Sequence, residues 1–189
     1  MTRAAPGLAA SSARERSDVR IVGCGRRFWG DDQIGLRVAE RLANDPPARA
    51  AVIATEGSGI DPIADARSAA LLIIVDAALA AGAASPGRVE RVVYRSPQAP
   101  QIVLRGARGA RLEPLGGQPA DSSHGFSVRE ALELAAALDC LPPEVWIYVV
   151  ASRTFAPGVA ASAELEPLAR DIAARIRADL AAWRRNRGE

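Results

Sequence analysis

The chain has 189 residues, which suits one domain with one hydrophobic core, and its 24 basic residues are all arginines. The absence of lysine excludes enzymes that form a Schiff base and P-loop proteins that bind phosphate with a lysine. A net charge of +2 with no long basic block does not favour nucleic-acid binding. Two widely separated cysteines, Cys24 and Cys140, favour a reducing cytoplasm over a disulfide framework, and no apolar run approaches the ~20 residues of a membrane span.

The elements are predicted in chain order from hydrophobic periodicity. Residues 1–18 are rich in Ala, Ser and Arg and lack an amphipathic repeat, so we expect a disordered leader, with an organelle signal as the alternative. A single domain is expected over residues 19–189. The predicted strands are 18–24, 51–56, 71–75, 88–94 and 145–150. The predicted helices are 33–42, 61–70, 127–138 and 162–183.

The apolar pattern also predicts how these elements are arranged. Residues 71–75 (LLIIV) are apolar throughout, which indicates a central strand buried on both faces. Residues 96–123 contain four prolines and four glycines, so we expect a long functional or mobile loop in which only 102–104 could form a strand. The alternation of strands and helices predicts an α/β fold with three layers, a mostly parallel twisted sheet of about five strands flanked by helices. The last helix has one apolar stripe, expected to face the core: Leu165, Leu168, Ile172, Ile176, Leu180 and Trp183.

Acidic residues and the single histidine lie where strands are predicted to end. Asp31 and Asp32 follow the first strand, and Asp76 directly follows the apolar run LLIIV. His124 lies just before the third helix. Because ligands of parallel α/β sheets bind beyond the carboxyl ends of the strands, these side chains can converge on one divalent transition metal. Each residue also has a local role that needs no metal. For Asp31 we favour an N-cap, and for Asp32 an N-cap is as well supported as a ligand. Asp76 could instead lie in a turn that ends the strand, and His124 could form a hydrogen bond at the surface.

The sequence contains no familiar nucleophilic site. Ser58 lies in EGSG rather than in the G-x-S-x-G of a nucleophile elbow. Cys24 ends a predicted buried strand, so we expect its thiol to be packed. The single histidine excludes the H-E-x-x-H zinc motif.

Four segments together resemble the motifs of one protein family. VGCGRRFWGDDQIG (22–35) combines a strand, G-x-G, a short hydrophobic turn, an acidic pair and a helical glycine. EGSG (56–59), IIVDA (73–77) and SSH (122–124) follow in order and at similar spacing. This set resembles the hydrogenase maturation proteases, and the resemblance covers about residues 20–177, most of the chain.

The resemblance implies a function, a partner and a site. Proteins of this family are cytoplasmic endopeptidases that remove the C-terminal extension from the precursor of a nickel-loaded hydrogenase large subunit. The resemblance implies that Asp32, Asp76 and His124 are the catalytic residues and bind nickel, which the substrate precursor carries. Two positions depart from the family's pattern: Arg26 where it has asparagine, and Gln33 where it has a glycine-like or aliphatic residue.

The implied mechanism uses the metal and the acids. Nickel would polarise the scissile carbonyl or activate a water, and Asp32 or Asp76 would transfer protons. We expect residues 96–123, with Phe28 and Trp29, to form the cleft around the substrate tail. For the two aromatic side chains, core packing is the alternative.

Two other functions fit parts of the sequence. A non-catalytic hydrogenase assembly factor would bind the precursor with the same surface and leave it uncleaved. A nucleotide-binding module is suggested by Gly23-x-Gly25 after a strand and by Glu56 at the end of the next strand. Asp31 and Asp32 argue against this module, because their negative charges stand where a pyrophosphate needs the positive end of a helix.

Overall fold

A computed structural model describes residues 17–57, 59–79, 86–95, 103–104, 128–152 and 154–188. The strands in these ranges are β1 (Val19–Gly25), β2 (Ala50–Glu56), β3 (Leu71–Leu79), β4 (Val89–Arg95), β5 (Val103–Leu104) and β6 (Glu144–Ser152). The α-helices are α1 (Ile34–Asn44), α2 (Ile60–Ala64), α3 (Val128–Ala137) and α4 (Leu165–Asn186). Two short 3-10 helices, Gly30–Gln33 and Asp65–Ser68, precede α1 and follow α2. None of these described helices is long and apolar enough to cross a membrane.

The six strands of the described residues form one sheet in the order β2-β1-β3-β6-β4-β5. β2, β1, β3 and β6 run parallel to one another, whereas β4 runs antiparallel to both β6 and β5. The predicted α/β fold, with a mostly parallel sheet flanked by helices, is therefore confirmed. The strand beyond the predicted five is β5, which has two residues and lies in the segment 102–104 where the sequence allowed a strand.

Alternate residues of the strands pack into two apolar layers, one on each face of the sheet. One layer contains Ile21, Ile73 and Tyr148 together with residues of α1 and α4. The other layer contains Val22 and Ile74 together with residues of α2 and α3. The predicted apolar stripe faces the first layer: Leu165, Ile172, Ile176, Leu180 and Trp183 are buried, and Leu168 is partly buried.

Three element boundaries differ from the predicted ones near the site. β3 continues past the apolar run to Leu79 because its pairing with β6 extends that far. Asp76 therefore lies inside the strand, and the strand-ending turn considered for it is wrong. The first predicted helix begins earlier, as the 3-10 turn Gly30–Gln33, and continues as α1. The second predicted helix is divided into α2 and the 3-10 helix Asp65–Ser68.

Two predicted segments fall mainly outside the described residues. Of the leader 1–18 only residues 17 and 18 are described, and of the loop 96–123 only 103 and 104. The division into a leader and one domain over 19–189 therefore stays a prediction, as does the role of the loop.

α1 packs against β1 and β3 with no space for a side chain between them. A Cβ on Gly23 would lie 2.0 Å from the carbonyl oxygen of Gly35. A Cβ on Gly35 would lie 2.1 Å from the carbonyl oxygen of Cys24 and 2.3 Å from that of Val75. Because non-bonded heavy atoms rest at about 3.5–4.0 Å, only glycine allows the start of α1 to lie directly on the ends of both strands.

Gly35→Ala is expected to destabilise the protein by about 2 kcal/mol or more, because the added methyl group must push α1 away from both strands. This loss of stability is the opposite of what helix propensity alone predicts, since alanine is favoured over glycine in a helix by about 1 kcal/mol. Urea denaturation followed by circular dichroism measures the change. The control is Ala43→Gly at an exposed position of the same helix, with an expected cost of about 1 kcal/mol. A Gly35→Ala variant as stable as the wild type would contradict the close packing of α1.

Candidate functional site

Asp32 and Asp76 lie close together at the carboxyl ends of the parallel strands. Asp32 belongs to the 3-10 turn between β1 and α1, and Asp76 lies in β3, the neighbour of β1. The 3-10 turn contacts β3, and the negative charge of Asp32 is near enough to raise the pKa of Asp76. The structure thus brings together two of the three predicted site residues, at the end of the sheet where α/β proteins bind ligands.

Asp76 is partly buried, and its surroundings favour the protonated carboxyl group. Burial raises the pKa of Asp76 to about 7, and the negative charge of Asp32 contributes to the rise. The backbone N–H of Ala77, which donates a hydrogen bond, and the positive charge of Arg26 both act to lower this pKa. Asp76 can therefore take up or release a proton near neutral pH, as general acid–base catalysis requires.

Asp32 is buried and pairs with Arg26. The Nε of Arg26 donates a hydrogen bond of 2.7 Å to Oδ2 of Asp32. The guanidinium group of Arg26 lies 3.7 Å from the centroid of the Trp29 ring, so it also makes a cation–π contact. The sequence marked Arg26 only as a departure from the family's asparagine. The sequence did contain one signal for the ion pair: Arg26 precedes the acid Asp32 by six residues in the same predicted turn.

Asp31 does not cap a helix, so the N-cap favoured for it is wrong. Neither the 3-10 turn nor α1 has a side-chain cap at its start. Instead, Oδ1 of Asp31 accepts a hydrogen bond of 2.8 Å from the backbone N–H of Ser162. The backbone N–H groups of Asp31 and Gly30 donate to the carbonyl oxygens of Thr154 and Val159, each at 3.0 Å. Asp31 therefore fixes the site turn on the segment that follows β6.

Gln33, the second departure from the family's pattern, stabilises the same turn. Its Nε2 donates a hydrogen bond of 2.9 Å to the carbonyl oxygen of Gly30. Its Oε1 accepts one of 3.1 Å from Arg37 in α1. Gln33 is buried, and these two bonds satisfy its amide group within the turn and the helix. The side chain thus acts on the shape of the turn that carries Asp32.

Neither Phe28 nor Trp29 belongs to the two apolar layers that the described residues form. Phe28 is 76% exposed and has a φ of 63°, a left-handed conformation that costs an L-residue about 1–2 kcal/mol. A hydrogen bond of 2.7 Å from the backbone N–H of Gly158 to the carbonyl oxygen of Phe28 helps to hold it there. Trp29 is partly buried beneath Arg26. Core packing is therefore wrong for both aromatic side chains, and their role in a substrate cleft stays a prediction.

The thiol of Cys24 is packed, as the sequence predicted. Cys24 is fully buried in the layer that contains Val22 and Ile74. Burial raises the pKa of this thiol, and the charges of Asp76 and Asp32 raise it further. Because the thiolate is disfavoured, Cys24 is unsuited to act as a nucleophile.

His124 and Ser58 lie outside the described residues. Within the described ranges, no group of three or more His, Cys, Asp and Glu side chains is arranged to hold a metal ion. Asp32 and Asp76 supply two carboxylate groups, which suit a divalent cation that takes its further ligands from elsewhere. The three-residue site formed by Asp32, Asp76 and His124 therefore stays a prediction.

Comparison of the sequence with protein-family models and with curated proteins gave no match.

Solved structures with the same fold include several maturation proteases. The hydrogenase 2 maturation peptidase from Thaumarchaeota archaeon SCGC_AB-539-E09 is 19% identical, with a TM-score of 0.59 over 87% of this chain and 99% of that chain. The maturation protease HybD from Thermococcus kodakarensis is 22% identical, with a TM-score of 0.58 over 86% and 98% of the two chains. HybD from E. coli is 18% identical, with a TM-score of 0.54 over 85% and 93%. The chain therefore has the α/β fold of solved hydrogenase maturation proteases over nearly their whole length.

Proposed function

We propose that this protein is a hydrogenase maturation endopeptidase, which removes the C-terminal extension of a nickel-loaded large-subunit precursor. The observation that carries the proposal is the proximity of Asp32 and Asp76, two acids from separate segments, at the strand ends of this fold. These are two of the three positions at which the sequence motifs resemble those of the maturation proteases. The likeness of fold to proteins named as maturation peptidases supports the same activity.

In this proposal the nickel belongs to the substrate, and the protein supplies side chains that engage it. Asp32 and Asp76 provide carboxylate oxygens, and His124 provides an imidazole nitrogen, as the resemblance implies. When bound, the nickel supplies Lewis-acid polarisation of the scissile carbonyl or of an attacking water. Asp32 or Asp76 would accept a proton from water and return one to the leaving amine.

A non-catalytic assembly factor is the second candidate, and one observation favours it. The carboxylate of Asp32 already pairs with Arg26, a residue that replaces the family's asparagine. If this pair persists in the complex with the precursor, the surface binds the precursor without completing a catalytic site. The nucleotide-binding alternative has no comparable support, because Asp31 and Asp32 both lie in the turn directly before α1.

The first test is cleavage of a nickel-loaded large-subunit precursor, followed by mass spectrometry of its C-terminus. The wild type is expected to shorten the precursor. Asp76→Asn and His124→Ala are each expected to slow cleavage by about a hundredfold or more, because they remove a proton-transfer group and a nickel ligand. Asp61→Asn, an exposed aspartate in α2, is the matched control and should cleave like the wild type.

The outcomes separate the two candidates. Unchanged cleavage by Asp76→Asn and His124→Ala would refute the proposed site. Stable binding of the precursor by the wild type without any change in its mass would favour the assembly factor.

The second test uses the effect of Asp76 on stability. The pKa of Asp76 is raised from 3.8 to about 7 by folding, so between these values the folded state binds a proton that the unfolded state has released. The ionisation of Asp76 therefore lowers the free energy of unfolding as pH rises through this window, by at most about 1.4 kcal/mol per pH unit. Above the window this destabilisation stays constant. Urea denaturation at pH 5 and pH 8 should show that Asp76→Asn gains stability relative to the wild type at pH 8.

The same comparison with Asp61→Asn gives the control, because this change removes a carboxyl group from the protein surface and not from the site. Equal differences between Asp76→Asn and the wild type at both pH values would mean that folding does not raise the pKa of Asp76.

A further inference from the structure

Arg26 places one positive charge against both acids of the candidate site. Its Nε donates to Oδ2 of Asp32 at 2.7 Å, which occupies one of the oxygens that a metal would use. The same charge acts on Asp76, whose ionised form it favours. Arginine keeps its proton at any pH at which a protein is folded, so this charge leaves the acids only if the side chain moves.

Of the two partners in this ion pair, the arginine is the one that can move. The side chain of Asp32 is 10% exposed, whereas that of Arg26 is 43% exposed. Asp32 is also held by its turn, because the preceding Asp31 is bonded through both its backbone and its carboxylate to the segment after β6. A rotation of the Arg26 side chain into solvent breaks the ion pair and leaves the core packing unchanged.

Trp29 gives the arginine a second contact close to the first. The guanidinium group lies 3.7 Å from the centroid of the Trp29 ring. A cation–π contact of this kind holds a guanidinium group without using the carboxylate. A metal bound to the carboxylate would therefore remove the contact of Arg26 with Asp32 but not its contact with Trp29.

We propose that Arg26 is an internal cation that blocks the carboxylate pair in the metal-free protein and is displaced when nickel arrives with the precursor. The inference rests on the proposed nickel-binding role of Asp32 and Asp76. A free divalent ion must displace a like charge from its ligand, and only its own bonds to the carboxylates offset that cost. Nickel held in a precursor arrives together with a protein interface, and the contacts of that interface can offset the free-energy cost of displacing Arg26. Arg26 thus makes the site selective for nickel presented by the substrate over free metal ions.

The test is calorimetric titration of the full-length, metal-free protein with Ni²⁺ alone. Arg26→Asn is expected to bind Ni²⁺ at least about tenfold more tightly than the wild type, because the competing charge is gone. Arg27→Asn is the matched control. It removes the same charge one residue away, but Arg27 pairs with Glu40 and Glu56 at the surface and has no contact with Asp32 among the described ion pairs. Its affinity for Ni²⁺ should stay close to that of the wild type.

Two further variants connect the result to these atoms. Arg26→Lys keeps the charge and should exclude Ni²⁺ as the wild type does. Arg26→Asn combined with Asp76→Asn should lose the gained affinity, which locates the ion at the carboxylate pair. Circular dichroism and urea denaturation of each variant confirm that it is folded before titration.

Equal Ni²⁺ affinity of Arg26→Asn and the wild type would overturn the proposal. An equal gain in Arg27→Asn or in Arg26→Lys, or a gain that persists in the double variant, would overturn it as well.

The titration and the cleavage assay fail independently. If Arg26→Asn gains affinity but the wild type does not cleave the precursor, the peptidase proposal fails and the blocking role of Arg26 stands. If the wild type cleaves while Arg26→Asn shows no gain, only the blocking role fails.

Discussion

The close approach of α1 to the ends of β1 and β3 determines the geometry of the site. Gly35 lies against the carbonyl oxygens of Cys24 and Val75, and Val75 is the residue before Asp76. Asp32 precedes Gly35 by less than one turn of helix, so the same contact brings Asp32 next to Asp76. A side chain at this glycine would separate the helix from both strands and move the two acids apart. The packing of one glycine therefore connects the hydrophobic core to the chemistry.

Two carboxylates held this close in a partly buried position repel each other, and the protein compensates in two ways. Asp76 retains its proton up to a pKa of about 7, which removes one of the two charges over much of the pH range. Arg26 neutralises the other charge by pairing with Asp32. Both compensations are reversible, since a proton can leave and the partly exposed side chain of Arg26 can rotate. A divalent cation would replace both at once, which is the physical basis for treating this pair of acids as a binding site.

Much of this architecture was predictable from the sequence because it depends on local apolar periodicity. The continuous run at 71–75 and the stripe from Leu165 to Trp183 identified the central strand and the long helix, and Asp32 and Asp76 were found from their positions near strand ends. The errors arose where a distant partner decides the local structure. Pairing with β6 extends β3 beyond Asp76, and Ser162, 131 residues away, takes the carboxylate that was expected to cap a helix at Asp31. No local pattern contains these partners.

The turn between β1 and α1 concentrates the features that distinguish this chain from the family pattern. Arg26 and Gln33 replace other residues there, and each is held by contacts that end on the turn itself or on α1. Phe28, in the same turn, adopts a left-handed conformation and is bonded to the segment after β6. Below this turn, the glycine contacts and the two apolar layers fix the acids in place. A loop supported by a rigid scaffold can change its side chains without moving the residues beneath it. Exchange of a neutral amide for a guanidinium at position 26 is such a change, and in our proposal it alters which cation can reach Asp32.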